Sequence, residues 1–153
     1  MIRNTLAVII GLAVGMIFNM GMVVLNTALH PMPEGVDFND AEGMSVYIAT
    51  LPLMALVLIV VAHVGQAFIG GLVAAAIGRS ASMVVAMIVG VISMLLGIVN
   101  LMSMPLPAWM WWEMPLYLLA AWFAARIVLA WRAGKHPGED SNFRPADEKS
   151  NRP

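Results

Sequence analysis

A long uncharged stretch in the middle of the chain constrains the fold more than any other feature. It runs from Pro52 to Gly78, reads PLMALVLIVVAHVGQAFIGGLVAAAIG, and contains two strongly polar side chains, His63 and Gln66. About 20 helical residues cross the hydrocarbon core of a bilayer, so this stretch is long enough to span a membrane. The whole chain is 61% hydrophobic and 11% charged. Soluble domains carry roughly 25% charged residues, so a membrane protein is indicated.

Three further apolar segments complete the pattern and predict an all-α fold. We expect one transmembrane four-helix bundle over residues 1–132, with spans at about 5–26, 52–78, 81–104 and 111–131. The first segment follows Arg3 as a signal sequence would. Its apolar core is longer than the ~7–15 residues of a signal peptide and no small-residue cleavage site follows it. We therefore interpret it as a retained anchor.

Two polar segments flank the predicted spans. The loop of residues 27–45 contains prolines, glycines and acidic residues, and Asp40 is placed to cap a short helix from Ala41 to about Leu51. Pro52 either kinks that helix or begins a new one. The tail of residues 133–153 is polar, rich in mixed charge and proline-bearing. It cannot bury enough apolar surface to offset its ordering entropy, so we expect it to be disordered.

The distribution of charge predicts the orientation. With the N-terminus in the cytoplasm, every Lys and Arg falls on the cytoplasmic side or at its interface: Arg3, Arg79, Arg126, Arg132, Lys135, Arg144, Lys149 and Arg152. The two opposite loops then hold only acids: Glu34, Asp37, Asp40, Glu42 and Glu113. This asymmetry is the positive-inside pattern. It predicts a multi-pass protein with both termini cytoplasmic and the loop around Asp40 periplasmic. The tryptophans near residue 110 fit an interfacial belt.

Small residues recur at helical spacing and predict the packing faces. In lipid, helices associate through close backbone approach and interhelical hydrogen bonds rather than through a hydrophobic drive. The predicted packing residues are Gly11, Gly15, Gly70, Ala74, Gly78, Gly90 and Gly97. We expect them to form a seam between the four helices.

Polar residues on the same faces give the candidate site. From helical rise, we place His63, Gln66 and Ser93 near the middle of the membrane, with His63 opposite Ser93, and Asn19, Asn100, Glu113 and Tyr117 in the outer half. An ionisable group at this depth is a candidate functional residue, and a neutral imidazole can relay a proton or bind substrate. The alternative for His63 is a neutral imidazole bonded to Ser93, Asn19 or Gln66 that fixes helix register. For Glu113 we expect a hydrated position near the outer interface.

Other classes of site find little support in the sequence. His30, Glu34 and the neighbouring loop acids offer oxygen ligands for a hard cation, but without the spacing of a calcium loop. No zinc-protease, nucleophile-elbow or phosphate-loop motif occurs, and no basic patch for nucleic acid. We therefore expect no cofactor, no metal and no enzymatic activity. The expected partners are the lipid bilayer and either a second copy or another membrane protein.

A family resemblance predicts the kind of organism and membrane in which the protein occurs. The residues that carry it are the loop His30–Asp37 (HPMPEGVD), Asp40, Tyr47–Pro52, Gly65, Gly70-Gly71, Ala75, Asn100, Pro105, Pro107 and Trp109. Over roughly residues 5–125 the chain resembles small four-span bacterial membrane proteins that have no assigned activity. The resemblance implies a bacterial inner membrane and transfers no catalytic residue.

Two functions remain open at this point. The first is a non-enzymatic accessory bundle, which is favoured by the small-residue seam and the lack of a catalytic motif. The second is a small transporter or proton-coupled carrier built around His63 and its polar neighbours.

Overall fold

The computed structural model describes residues 2–37, 39–78 and 81–135, and it is helical. Its elements are α1 (Ile2–Leu29), α2 (Ala41–Thr50), α3 (Leu53–Ile77), α4 (Ser82–Ser103), a 3-10 helix (Ala108–Glu113) and α5 (Met114–Lys135). Four of them, with the 3-10 helix joined to α5, are long and apolar enough to cross a membrane. The predicted all-α four-helix bundle is confirmed.

The ends of the helices differ from the predicted bounds in physically understandable ways. Residues 111–113, assigned to the fourth span, belong to the 3-10 helix, and α5 starts at Met114 with Pro115 in its first turn. Proline is tolerated there because the first-turn N–H groups have no helical partner. At the other end α5 continues to Lys135, so residues 133–135 are helical. The predicted disorder of residues 136–153 lies outside the described residues.

One end of the bundle, which we call the loop end, carries residues 30–52 and 104–113. The carboxylate of Asp40 accepts a hydrogen bond from the backbone N–H of Gly43 at 3.0 Å and so caps α2, as predicted. Pro52 takes the N-cap position of α3, which settles the open boundary in favour of a new helix. The hydroxyl of Tyr47 donates to the carbonyl of His30, and burial raises the pKa of Tyr47.

The opposite end, which we call the terminal end, holds the start of α1, the α3–α4 connection and the end of α5. The N–H of Ala81 donates to the carbonyl of Gly78 at 3.0 Å, so the end of α3 lies next to the start of α4. Arg132 of α5 donates to the carbonyls of Ala75 and Ala76, at 3.1 and 2.6 Å, and to the hydroxyl of Ser82. A cation is favourable at the C-terminus of a helix, where carbonyls lack partners. Arg132 therefore ties α5 to the end of α3 and the start of α4.

Glycines bring α1 and α3 into close backbone contact. A Cβ added to Gly11 would lie 2.6 Å from the carbonyl oxygen of Gly70, and one added to Gly70 would lie 2.7 Å from that of Gly11. One turn away, Gly15 faces the carbonyl of Gln66 in the same manner. All seven predicted packing residues are buried. Helix α3 packs against α1, α4 and α5, and so lies at the centre of the bundle.

Substituting Gly70 by Ala tests the seam. The added methyl group meets the backbone of α1, so the helices must separate, and we expect a loss of about 1–3 kcal/mol of unfolding free energy. Gly21→Ala is the matched control, because a Cβ there has nothing within 4 Å. It should be neutral or stabilising by up to about 1 kcal/mol. Reversible unfolding in mixed micelles measures both. Equal stabilities would contradict the seam.

Candidate functional site

A buried carboxylate faces a histidine inside the bundle. Glu113 ends the 3-10 helix and is 2% exposed. Its Oε1 atom lies 3.0 Å from Nδ1 of His63 on α3. The Oε2 atom is buried and has no hydrogen-bond partner among the described residues. Burying a carboxylate costs free energy unless the carboxylate is paired, so the contact with His63 is needed to hold Glu113 inside the bundle.

Two further side chains complete a network around this pair. The hydroxyl of Tyr117, one turn into α5, donates to the same Oε1 of Glu113 at 3.2 Å. The amide Nδ2 of Asn100 on α4 lies 3.4 Å from Nε2 of His63. These contacts agree with a neutral imidazole that donates from Nδ1 to the carboxylate and accepts at Nε2 from Asn100. In that form the network carries the single negative charge of Glu113.

The direction of side chains on a helix explains why these groups meet. Side chains point back towards the N-terminus of their own helix. Helix α3 begins at the loop end, so the imidazole of His63, about 15 Å into the helix, reaches towards that end. Tyr117 points the same way because α5 also begins there. In the 3-10 helix residues three apart share a face, and Met110 and Glu113 are both buried on it.

The network corrects two expectations from the sequence. Glu113 is not hydrated at an interface, because it lies inside the bundle on the imidazole. The partners of His63 are Glu113 and Asn100, not Ser93, Asn19 or Gln66. Ser93 belongs to the antiparallel helix α4, so its side chain points towards the terminal end and away from the imidazole. The inward face shared by Glu113 and Tyr117 agrees with the sequence prediction; what the sequence reasoning missed is that Glu113 is buried and paired with His63.

A cavity of about 180 Å³ adjoins the network, and we call it the polar cavity because six of its nine lining residues have polar side chains. Its polar lining residues come from α1, α3, α4 and α5: Asn19, His63, Gln66, Ser93, Asn100 and Tyr117. All the predicted site residues except Glu113 thus line one cavity. Glu113 lies behind it, in contact with His63 and Tyr117. A cavity of this size has room for water or for a small solute.

A second cavity of about 110 Å³, which we call the apolar cavity, lies towards the loop end beneath α2. Its wall is largely apolar and includes Met22, Tyr47 and Leu58. His63 and Asn100 line both cavities. The contact between the imidazole and the carboxamide therefore forms part of the partition between the apolar cavity and the polar cavity.

The loop acids do not assemble a site of this kind. Within residues 2–37, 39–78 and 81–135, no three histidine or acidic side chains come together to hold a metal ion. His30 instead lies 3.2 Å from the side-chain oxygen of Asn26. The carboxylate of Asp37 accepts from the N–H groups of Asn39 and Asp40. These acids shape the loop.

Comparison with protein-family models, with curated proteins and with solved structures finds no match. The resemblance to small four-span bacterial proteins therefore stays a prediction. The class of the molecule follows from its own features: four long apolar helices are those of a multi-pass integral membrane protein.

Replacing His63 by Leu tests the pairing of Glu113. The variant leaves the carboxylate buried without its partner, and we expect a loss of about 3–5 kcal/mol of unfolding free energy. The double variant His63→Leu, Glu113→Gln removes the charge as well and should recover most of that loss. Unfolding in mixed micelles compares the two. A double variant no more stable than the single one would show that the carboxylate does not depend on His63.

Proposed function

We propose that the protein is a small proton-coupled carrier whose protonatable group is the His63–Glu113 pair. The observation that supports this is a titratable pair in which the carboxylate is buried and the partly buried histidine lines two cavities. Replacing a buried ion pair by apolar side chains is often neutral or stabilising, so stability alone is a weak reason for such a pair. Ionisable groups within spanning segments commonly mark proton and substrate pathways.

The charges of the two side chains define the proton-binding step. With a neutral imidazole the site carries one negative charge, on Glu113. One added proton neutralises it, either on the carboxylate or on Nε2 of His63, where it gives an imidazolium–carboxylate pair. Binding and release of this proton changes the charge presented to the polar cavity, and that change couples proton movement to a solute.

An accessory bundle without transport is the second candidate. The observation that favours it is the tight glycine contact between α1 and α3, which restricts relative movement of these helices. In this case the network around His63 fixes the register of α3, α4 and α5. The carrier remains the proposal because a register contact does not require a cavity lined by six polar side chains.

We further propose a bacterial inner-membrane location with both termini in the cytoplasm. Arg3, Arg126 and Arg132 belong to the helices near the terminal end, whereas Glu34 and its acidic neighbours lie in the loop at the other end. This is the asymmetry that the positive-inside rule requires.

Transport is tested in liposomes with an imposed pH gradient and a pool of small amines, amino acids, sugars and carboxylic acids. The wild-type protein should speed collapse of the gradient in the presence of the pool, and His63→Ala should abolish the increase. His30→Ala is the matched control, because His30 lies in the loop outside the network, and it should retain the activity. Equal rates for wild type and His63→Ala would favour the accessory bundle.

Orientation is tested by labelling single cysteines, since the chain has none of its own. Glu34→Cys in the exposed loop should react with a membrane-impermeant maleimide on intact cells. Gly134→Cys, exposed near the end of α5, should react only after permeabilisation. The reverse pattern would place the termini outside.

A further inference from the structure

Three polar side chains on the wall of the polar cavity have no protein partner. Asn19, Gln66 and Ser93 are 8%, 6% and 1% exposed. Within the described part of the chain, their side chains make no hydrogen bond to another protein group. They come from three different helices and line the same cavity. Among the three, the hydroxyl of Ser93 is a fully buried atom without a hydrogen bond. Buried polar groups are normally satisfied, so this hydroxyl, with the two unpartnered carboxamides beside the same space, indicates a polar occupant.

The carboxylate of Glu113 sets the polarity of the cavity wall. Tyr117 directs its hydroxyl proton, and His63 its Nδ1 proton, to Oε1 of Glu113. Both donors are thus turned away from the cavity. The oxygen of Tyr117 keeps a lone pair for the cavity side, whereas the single lone pair of His63 Nε2 faces the amide of Asn100 at 3.4 Å. The carboxamide and hydroxyl oxygens of the unpartnered side chains add further acceptors.

The charge around the cavity selects the class of occupant. No Lys or Arg is among its described lining residues, so an anion would meet the Glu113 carboxylate without a compensating cation. A donor bonded to the oxygen of Tyr117 would lie within about 6 Å of that carboxylate, given a hydrogen bond of about 2.8 Å. A cation that carries several N–H donors satisfies both the acceptors and the charge.

We propose that the polar cavity binds a small ammonium-type cation, which replaces the proton as the counter-charge of Glu113. This inference rests on the proposed proton-coupled function. One ammonium group enters as one proton leaves the His63–Glu113 pair, so the net charge of the site stays at zero. The exchange is therefore an electroneutral antiport of an amine cation against a proton.

The ammonium group has two sources that share this chemistry. A small amine can enter from water, or the head of an amphiphilic amine can enter from the bilayer. The exposed side chains of Met16 on α1 and Leu96 on α4 belong to the cavity wall, so the cavity lies close to the lipid-facing surface between these helices. A short and a longer alkylammonium distinguish the two routes.

Few titratable groups are placed to make amine binding depend on pH. The titratable side chains of the network are His63 on α3, Glu113 on the 3-10 helix and Tyr117 on α5. Helices α1 and α4 bring only uncharged polar groups to the polar cavity: Asn19, Ser93 and Asn100. Competition between amine and proton therefore takes place at the His63–Glu113 pair.

Equilibrium binding to the full chain in lipid nanodiscs tests the proposal. The probes are methylammonium and hexylammonium, with acetamide, 1-hexanol and acetate as neutral and anionic comparisons. Binding of either amine should weaken by up to about tenfold for each pH unit of acidification while the pair takes up its proton. The neutral and anionic probes should not bind specifically. Hexylammonium binding without methylammonium binding would assign the bilayer route, and binding of both the aqueous route.

Variants separate the site from general effects on the fold. Glu113→Gln should weaken amine binding at least tenfold, because the counter-charge of the ammonium group is lost. Ser93→Ala should weaken it severalfold, because one acceptor is lost without leaving a protein partner unsatisfied. Ser103→Ala on the same helix is the matched control, since that hydroxyl bonds to Val99 of its own helix at 2.8 Å, and it should bind as wild type.

The contradicting results are equally specific. Acetamide binding as tightly as methylammonium, or amine binding independent of pH in the wild-type protein, would overturn the inference. Gradient collapse that depends on His63 but is driven by a non-amine solute would sink the ammonium assignment and leave the carrier intact. Amine binding with the expected pH dependence but without any gradient collapse would overturn the carrier and leave the ammonium assignment intact.

Discussion

The contact between Glu113 and His63 is the interaction on which the arrangement of the loop end depends. A carboxylate that is 2% exposed must find a partner inside the bundle. The imidazole at 3.0 Å supplies it, and Tyr117 and Asn100 bring α5 and α4 to the same place. Three spans and the 3-10 helix therefore meet at one buried charge. Every other polar group of the polar cavity lies around this centre.

Close packing between α1 and α3 makes the fourth wall of that cavity. Gly11 and Gly70 let the two backbones approach, and Asn19 of α1 joins Ser93 of α4 in the cavity wall. Arg132 ties the terminal end together through the carbonyls at the end of α3. The bundle is thus fixed at the terminal end by a cation at a helix C-terminus and near its other end by a buried carboxylate.

Much of the fold could be predicted from residue patterns alone. Length and hydropathy place the four spans, Asp40 places the cap of α2, and small residues such as Gly15 and Gly90 mark faces that are buried. These signals are local or periodic, so they can be interpreted without knowing which helices pack against each other. Six of the seven predicted polar residues line the polar cavity for the same reason: polar residues on the small-residue faces point inward.

The pairing within the site could not be predicted in this way. Counting residues from each end of a span gives depth, but it ignores that side chains lean towards the N-terminus of their helix, in opposite directions on α3 and α4. That omission placed His63 opposite Ser93. The tryptophans beside Glu113 suggested an interface, whereas the 3-10 helix turns Met110 and Glu113 into the bundle. Such a change of helical period carries no strong sequence signal.

Counting the protons that the protein binds tests directly whether the His63–Glu113 pair exchanges a proton. Nanodisc samples of the wild type and of the double variant His63→Leu, Glu113→Gln are acidified from about pH 8 to about pH 5, the range in which histidine-containing sites commonly titrate. Loop acids and the other histidines contribute equally to both. We expect the wild type to take up one proton more per chain than the double variant. Equal uptake would show that the His63–Glu113 pair does not exchange a proton and would contradict the proposed carrier.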